Sequence, residues 1–171
     1  MENEFRLTVS SKSVNEGFAR VVVSAFITPL DPTLEELADL KTAVSEAVTN
    51  CIVHGYKDKY GKIYISGKIS GDVVKITIRD KGCGIDDIAR AMTPLFTTGE
   101  GERAGLGFTV MESFCDKISV RSAIGKGTSV VLVKKIEENQ NGKIRKGFDD
   151  RGKSRPCLFD CQKICRSRNR I

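Results

Sequence analysis

The sequence lacks any apolar run near the roughly 20 residues that a membrane-spanning helix requires. It also shows no internal repeat, and its first residues, MENEFRLTVSSKS, lack the basic and apolar pattern of a secretory signal. These absences argue against an integral membrane protein and against secretion. The sequence therefore predicts a cytoplasmic protein with no membrane partner.

Disulfide and zinc chemistry also find little support among the six cysteines. Cys51 and Cys83 stand singly, as does Cys115, which is typical of reduced thiols without a redox role. The C-terminal thiols Cys157, Cys161 and Cys165 follow at four-residue steps. A structural zinc site usually has four ligands, and no further His or Cys group lies nearby, so a zinc site is disfavoured.

The formal charge of +6 is distributed unevenly along the chain. Residues 137–171 carry ten basic and five acidic side chains, whereas residues 1–136 carry 18 and 17. The first part therefore has no evident nucleic-acid footprint. Residues 137–171 have the composition of a disordered segment. We predict a folded domain over 1–136 and a basic tail over 137–171.

Hydrophobic periodicity predicts an α+β fold with the element order β-α-α-β-β-loop-α-β-β. The first helix has Ser13 as candidate N-cap, and the second has a Thr33 and Glu36 capping box and a candidate stop at Gly55. The runs KIYISGKIS and VVKITIRD predict one hairpin, and KISVRSA and TSVVLVKKI predict another. We expect a mixed sheet with helices on one face.

Three stretches in this order outline an ATP site. In EAVTNCIVHG, Glu46 and Asn50 lie four residues apart and share one helix face. In RDKGCGI, Asp80 ends a strand and is followed by Gly82 and Gly84, whose backbone a planar ring can approach closely. The third, TTGEGERAGLGF at 97–108, is a Gly-rich loop entering a helix, the arrangement in which backbone N–H groups meet phosphate.

These motifs resemble the N box, the Asp-Gly-x-Gly box and the Gly-rich lid of the GHKL ATPase/kinase superfamily. Within it, FRLTVSSKSVNEGFARVVVSAFI, EAVTNCIVHGY, IRDKGCGI, PLFTTGEGERAGLGFTVME and GTSVVLVKKI are similar to the anti-sigma-F factor family of endospore-forming bacteria. The resemblance covers residues 1 to about 136. It implies a two-layer α/β sandwich of the Bergerat type.

The resemblance also implies activity and partners. Similar proteins are homodimers that bind the sporulation sigma factor with ATP and Mg²⁺, and they phosphorylate a serine of an anti-anti-sigma protein. Glu46 would be the general base, Asn50 a Mg²⁺ ligand, and Asp80 the acceptor of the adenine amino group. Each also has a plain alternative, namely an exposed helical Glu or Asn and a turn-forming Asp.

The resemblance implies roles for other residues as well. Arg20 matches a family position that binds both the sigma factor and its antagonist. Thr128 matches one that supports the adenine pocket, although a plain strand Thr fits nearly as well. His54 follows the N box and is interpreted as structural, because no helical pair with a phosphoacceptor histidine exists. The residues predicted to close over the phosphates are Thr97, Thr98, Arg103, Gly105, Leu106, Gly107 and Phe108.

Three alternative functions remain at this stage. A nucleotide-gated anti-sigma clamp would have negligible phosphotransfer and no need for a base at Glu46. A stress-response anti-sigma kinase would use the same boxes with another sigma factor. A topoisomerase or mismatch-repair ATPase also has these boxes, but in much longer chains.

Overall fold

The computed structural model describes residues 1–57, 59–93 and 107–137. These all belong to one compact unit, Met1–Asn139. The elements are β1 (Glu2–Ser10), α1 (Val14–Ile27), a 3₁₀ turn (Thr28–Leu30), α2 (Leu34–Asn50), a π-helical turn (Cys51–Tyr56), β2 (Lys62–Ser70), β3 (Val73–Arg79), α3 (Ile88–Ala91), α4 (Gly107–Phe114), β4 (Lys117–Ala123) and β5 (Gly127–Lys135). The predicted order is confirmed, with the short α3 as an addition.

The five strands form one sheet in the order β1-β2-β3-β5-β4. All four neighbouring pairs are antiparallel, so the expectation of a mixed sheet was wrong. For β1 and β2, the reason is the pair of helices that connects them. Two successive helices return the chain from the end of β1 to the same end of the sheet, so β2 must run in the opposite direction.

The core lies between the sheet and the helices. Ile65, Ile76 and Leu132 on the sheet are fully buried, as are Val44 and Val48 on α2. The alternation along β2 and β3 leaves every second residue on the opposite face of the sheet. Across the described ranges, no helix is both long enough and apolar enough to cross a membrane.

The start of α2 is the predicted capping box. The Thr33 Oγ1 accepts the Glu36 backbone N–H at 3.1 Å, and Glu36 Oε2 accepts the Thr33 N–H at 2.7 Å. Burial alone raises the pKa of Glu36, but hydrogen bonds from the Glu137 and Thr33 backbone outweigh it and leave that pKa below its usual value. The cap therefore fixes where α2 begins.

Helix α1 begins at Val14 with Ser13 at the N-cap position, as predicted, but two details of the helix ends differ from expectation. Ser13 precedes α1, but its backbone is already helical (φ −54°, ψ −34°) and its side chain makes no capping hydrogen bond, because a capping side chain requires an extended backbone. Gly55 does not stop the second helix. The chain continues through the π-helical turn to Tyr56 and leaves it at Lys57, where φ is 51°.

Candidate nucleotide site

Asp80 lies directly after the C-terminal end of β3, the central strand of the sheet, and is 1% exposed. Its Oδ1 accepts the backbone N–H of Gly82 at 2.8 Å and that of Thr128 at 3.3 Å. Its own N–H donates to the Thr128 carbonyl at 2.9 Å. These bonds hold the carboxylate in one orientation, and they bring together Asp80, Gly82 and Thr128, all of which are predicted site residues.

Close backbone packing explains the glycines around Asp80. A Cβ at Gly82 would lie 2.0 Å from the Gly55 carbonyl oxygen, and one at Gly84 would lie 2.1 Å from the Ala123 carbonyl oxygen. Gly84 also has a φ of +76°, which favours glycine. The backbone at Gly55 and Ala123 thus occupies the side of these two glycines on which a Cβ would project.

Three residues that the sequence analysis did not assign to the site support this loop. Burial together with the nearby Asp80 charge raises the pKa of the Cys51 thiol well above its usual range. The Tyr56 hydroxyl accepts the Lys81 N–H at 2.9 Å and donates to the Lys62 carbonyl at 2.6 Å.

Ser122 is the third supporting residue. Its hydroxyl accepts the Ile85 N–H at 2.8 Å and lies 2.9 Å from the Thr128 hydroxyl. Nothing in the sequence pattern singled out Tyr56 or Ser122, because their contacts join segments 25 and 37 residues apart. Only the folded chain reveals them.

Glu46 and Asn50 meet the beginning of α4. Both side chains are half-buried on the last turns of α2. A Cβ at Gly107 would lie 3.2 Å from Glu46 Oε2, 3.3 Å from Asn50 Nδ2 and 3.4 Å from Asn50 Oδ1. The N-terminal end of a helix, which favours negative charge, therefore lies beside the carboxylate and amide pair.

Only two residues of the predicted lid, Gly107 and Phe108, fall within the described ranges. Phe108 is half-buried and packs against the hydrophobic core, while Gly107 begins α4. The other predicted lid residues lie outside the described ranges: Thr97, Thr98, Arg103, Gly105 and Leu106. Their roles stay predictions.

A magnesium ion at this site would depend on few protein ligands. Within the described ranges, no cluster of three or more His, Cys, Asp or Glu side chains could hold a metal ion. The Asn50 side-chain oxygen could supply one ligand, with phosphate oxygens and water completing the shell. Mg²⁺ keeps several waters and shares phosphate in this way, so the residues present fit it.

His54 and Arg20 lie in different surroundings. Partial burial and then the Lys57 charge lower the pKa of His54, and its carbonyl accepts the Cys83 thiol at 3.0 Å. These contacts agree with a structural role for His54. Arg20 pairs with Glu16 at 3.1 Å on α1, well apart in the chain from the motifs at Glu46 and Asp80.

The three described cysteines are expected to differ sharply in reactivity. Burial raises the pKa of Cys115 to about 11, and Cys51 is buried, whereas Cys83 is exposed. Roughly one Cys115 thiol in a thousand would be ionised at pH 8. Iodoacetamide at pH 8, with mapping by mass spectrometry, should therefore alkylate Cys83 first among these three. Equal labelling of Cys115 in the native protein would contradict the burial of that thiol.

Comparison with known proteins adds three findings. A model of the histidine kinase-like ATPase domain matches residues 10–134. Proteins named anti-sigma F factor are 58% identical in a Thermoanaerobacter species and 53% identical in Clostridium perfringens. These matches cover 78% and 80% of this chain, and 94% and 99% of the relatives.

A solved structure of the RsbU and RsbW domains of a protein from Mycobacterium tuberculosis shares the fold. It has a TM-score of 0.58 and 18% identity, covering 78% of this chain and 32% of that one. The domain match spans the segments that carry Glu46, Asn50 and Asp80. The chain belongs to the anti-sigma F factor family and carries a GHKL-type, histidine kinase-like ATPase domain.

Proposed function

We propose that this protein binds and inhibits the sporulation sigma factor F and, as an ATP-dependent serine protein kinase, phosphorylates and inactivates an anti-anti-sigma protein. The family supports the anti-sigma activity. The observation that carries the kinase activity is the contact of Glu46 and Asn50 with the start of α4 at Gly107. A carboxylate, an amide oxygen that could bind a metal ion and the N-terminal end of a helix then share one site.

Each site residue has a distinct part in this proposal. Asp80, held by Gly82 and Thr128, accepts a hydrogen bond from the adenine amino group, which selects adenine because guanine has a carbonyl there. Asn50 holds Mg²⁺, and the backbone N–H groups at Gly107 and Phe108 bind phosphate. Bound ATP supplies the phosphoryl group, and Mg²⁺ neutralises part of its charge.

Glu46 takes the proton of the attacking serine hydroxyl. Phosphoryl transfer depends mostly on positioning and charge neutralisation, so one carboxylate beside the metal site is sufficient. The predicted lid residues Thr97, Thr98 and Arg103 would add donors and a cation, and Gly105 and Leu106 would continue the loop. A cytoplasmic location and a basic tail over 137–171 belong to the same proposal.

The α1 surface supports a protein partner and a homodimer. Val14 is 75% exposed, Val21 65% and Phe18 49%, and they follow one another at helical spacing. Arg20 lies among them, held by Glu16, which also accepts the Ser45 hydroxyl at 2.6 Å. An exposed apolar stripe beside an oriented guanidinium is the composition of a protein interface.

Replacing Arg20 by Ala should weaken binding of the sigma factor and of the anti-anti-sigma protein by about tenfold or more, because interface arginines are often hot spots. ATP affinity should not change, since Arg20 is not part of the nucleotide site. Lys41→Ala on α2 is the matched control. Titration by isothermal calorimetry measures all three affinities, and unchanged partner affinity would remove Arg20 from the interface.

A phosphotransfer assay tests the proposed function directly. The purified protein is mixed with Mg²⁺, ATP labelled on the γ-phosphate, and the anti-anti-sigma protein of the same organism. Label on a serine of that protein is the expected result. ATP binding without transfer, together with ATP-dependent sigma binding, would instead favour a nucleotide-gated clamp. Light scattering on the same sample measures whether the protein is a dimer.

A further inference from the structure

The face of the sheet opposite the helices is strongly basic. The sequences of β2, β3, β4 and β5 contain no Asp or Glu at all. On β1, Glu2 and Glu4 are the acidic residues. The near-even count of 18 basic and 17 acidic residues in 1–136 therefore hides a segregation, because β2 to β5 carry only basic charges and the carboxylates of the sheet are confined to the edge strand β1.

The strand register brings these basic residues close together. Lys68 on β2 lies directly opposite Lys75 on β3. Arg79 on β3 and Arg121 on β4 both lie opposite Ser129 on β5. Like charges that face each other across strands are destabilising, so the fold alone gains nothing from this arrangement.

The strand register places one carboxylate, that of Glu4 on β1, opposite Lys68. Lys68, Lys75, Arg79 and Arg121 are exposed, and none of them forms an ion pair with another residue in the described part of the chain. Lys134 on the opposite face contrasts with them, since it pairs with Asp39 at 3.0 Å. The exposed cations are therefore available to an external anion.

A shallow depression lies at one end of this face. Its volume is about 260 Å³, and Arg79, Arg121, Lys126 and Ser129 contribute to its wall. Two guanidinium groups on either side of a hydroxyl offer planar, paired donors to an oxyanion. Arginine binds carboxylates in this bidentate manner.

The middle of the face is apolar. Val131 and Val133 on β5 are half-buried and point away from the helices, because their neighbours Val130 and Leu132 are buried in the core. Val133 lies opposite Lys75 on one side and Lys117 on the other. An apolar centre with a charged rim is the usual anatomy of a protein interface.

We propose that this basic sheet face, defined by Lys68, Lys75, Arg79, Lys117, Arg121 and the two valines, docks an acidic protein segment that also presents apolar side chains. The equivalent face of a second copy would be repelled by its like charge, and so would the tail over 137–171 with its net charge of +5. Single-stranded nucleic acid requires aromatic stacking platforms, and the strands offer only Tyr64 on this face. This inference is independent of the proposed kinase activity.

Fluorescence anisotropy with three labelled probes tests the proposal. The probes are a short peptide of alternating Glu and Val, a peptide of the same charge and length with Ser in place of Val, and a single-stranded DNA of matched length. The Glu-Val peptide should bind most tightly, and its affinity should fall with added salt. Equal affinity for the Glu-Ser peptide, or tighter binding of the DNA, would overturn the proposal.

Charge reversal locates the binding. The double variant K75E/R79E should lose about tenfold or more in affinity for the Glu-Val peptide, because it removes two cations and repels the ligand. The control K12E/K41E makes the same change in charge outside the basic sheet face. Equal loss in the control would show attraction to net charge alone and overturn the site. Circular dichroism checks that each variant is folded. The variant V133T keeps every charge and should also lower the affinity for the Glu-Val peptide.

Discussion

A Glu46→Ala protein is expected to transfer phosphate to its protein substrate roughly 10²–10⁴ times more slowly than the wild type, the usual contribution of a general base. The reason is the position of the Glu46 carboxylate, beside Asn50 and the start of α4 at Gly107. ATP affinity should stay within about threefold of the wild type, because a residue that acts only in the transition state contributes little to ground-state binding.

Two further variants sharpen the Glu46 experiment. Glu46→Gln keeps the size and hydrogen-bonding capacity of the side chain but cannot accept a proton, so it should be as slow as the alanine variant. Glu35→Ala is the matched control, since Glu35 is exposed and lies about 16 Å away along α2. Single-turnover rates with labelled ATP provide the measurement. A wild-type rate for Glu46→Gln would show that Glu46 is not the base.

Asp80→Asn is expected to raise the dissociation constant for ATP by roughly 10–100-fold, which corresponds to the loss of one hydrogen bond to a charged group. The asparagine oxygen can still accept the Gly82 and Thr128 N–H groups that Asp80 Oδ1 accepts now. The loop should therefore keep its conformation. The new amide would place a donor against the adenine amino group, which is itself a donor.

Guanine nucleotide provides the internal comparison for Asp80→Asn. The asparagine amide can donate to the guanine carbonyl, so GTP affinity should hold or improve while ATP affinity falls. Asp72→Asn, in the exposed turn between β2 and β3, is the control. Calorimetric titration with both nucleotides, alongside thermal unfolding, separates the outcomes. Equal loss for ATP and GTP with a lower melting temperature would indicate a folding defect and not lost adenine recognition.

Much of the fold was predictable because its signals are local. The capping box at Thr33 and Glu36 depends on residues three apart, and the strand alternation repeats every two residues. The helical spacing of Glu46 and Asn50 likewise placed them on one face. Local patterns of this kind can be recognised in the sequence because they follow from the geometry of a single helix or strand.

The wrong predictions share a different cause. Gly55 was interpreted as a helix stop, yet a Cβ there would lie 3.1 Å from the Asp80 carboxyl carbon, so a larger residue would crowd the Asp80 side chain. Ser13 has the residue type of a cap without the extended backbone. In both cases the residue type alone did not determine the role of the residue. That role depended on the backbone conformation at Ser13 and on the distant Asp80 side chain at Gly55.

The sequence by itself determined the element order, the motif residues Glu46, Asn50 and Asp80, and the family that those motifs indicate. Tertiary structure alone decided that every strand pair is antiparallel, that Tyr56 and Ser122 support the Asp80 loop, and that basic residues gather on one face of the sheet. The physical reason is the separation along the chain over which each interaction acts. Periodicity and capping act over a few residues, whereas strand register, backbone packing and charge segregation arise between segments that meet only after the chain has folded.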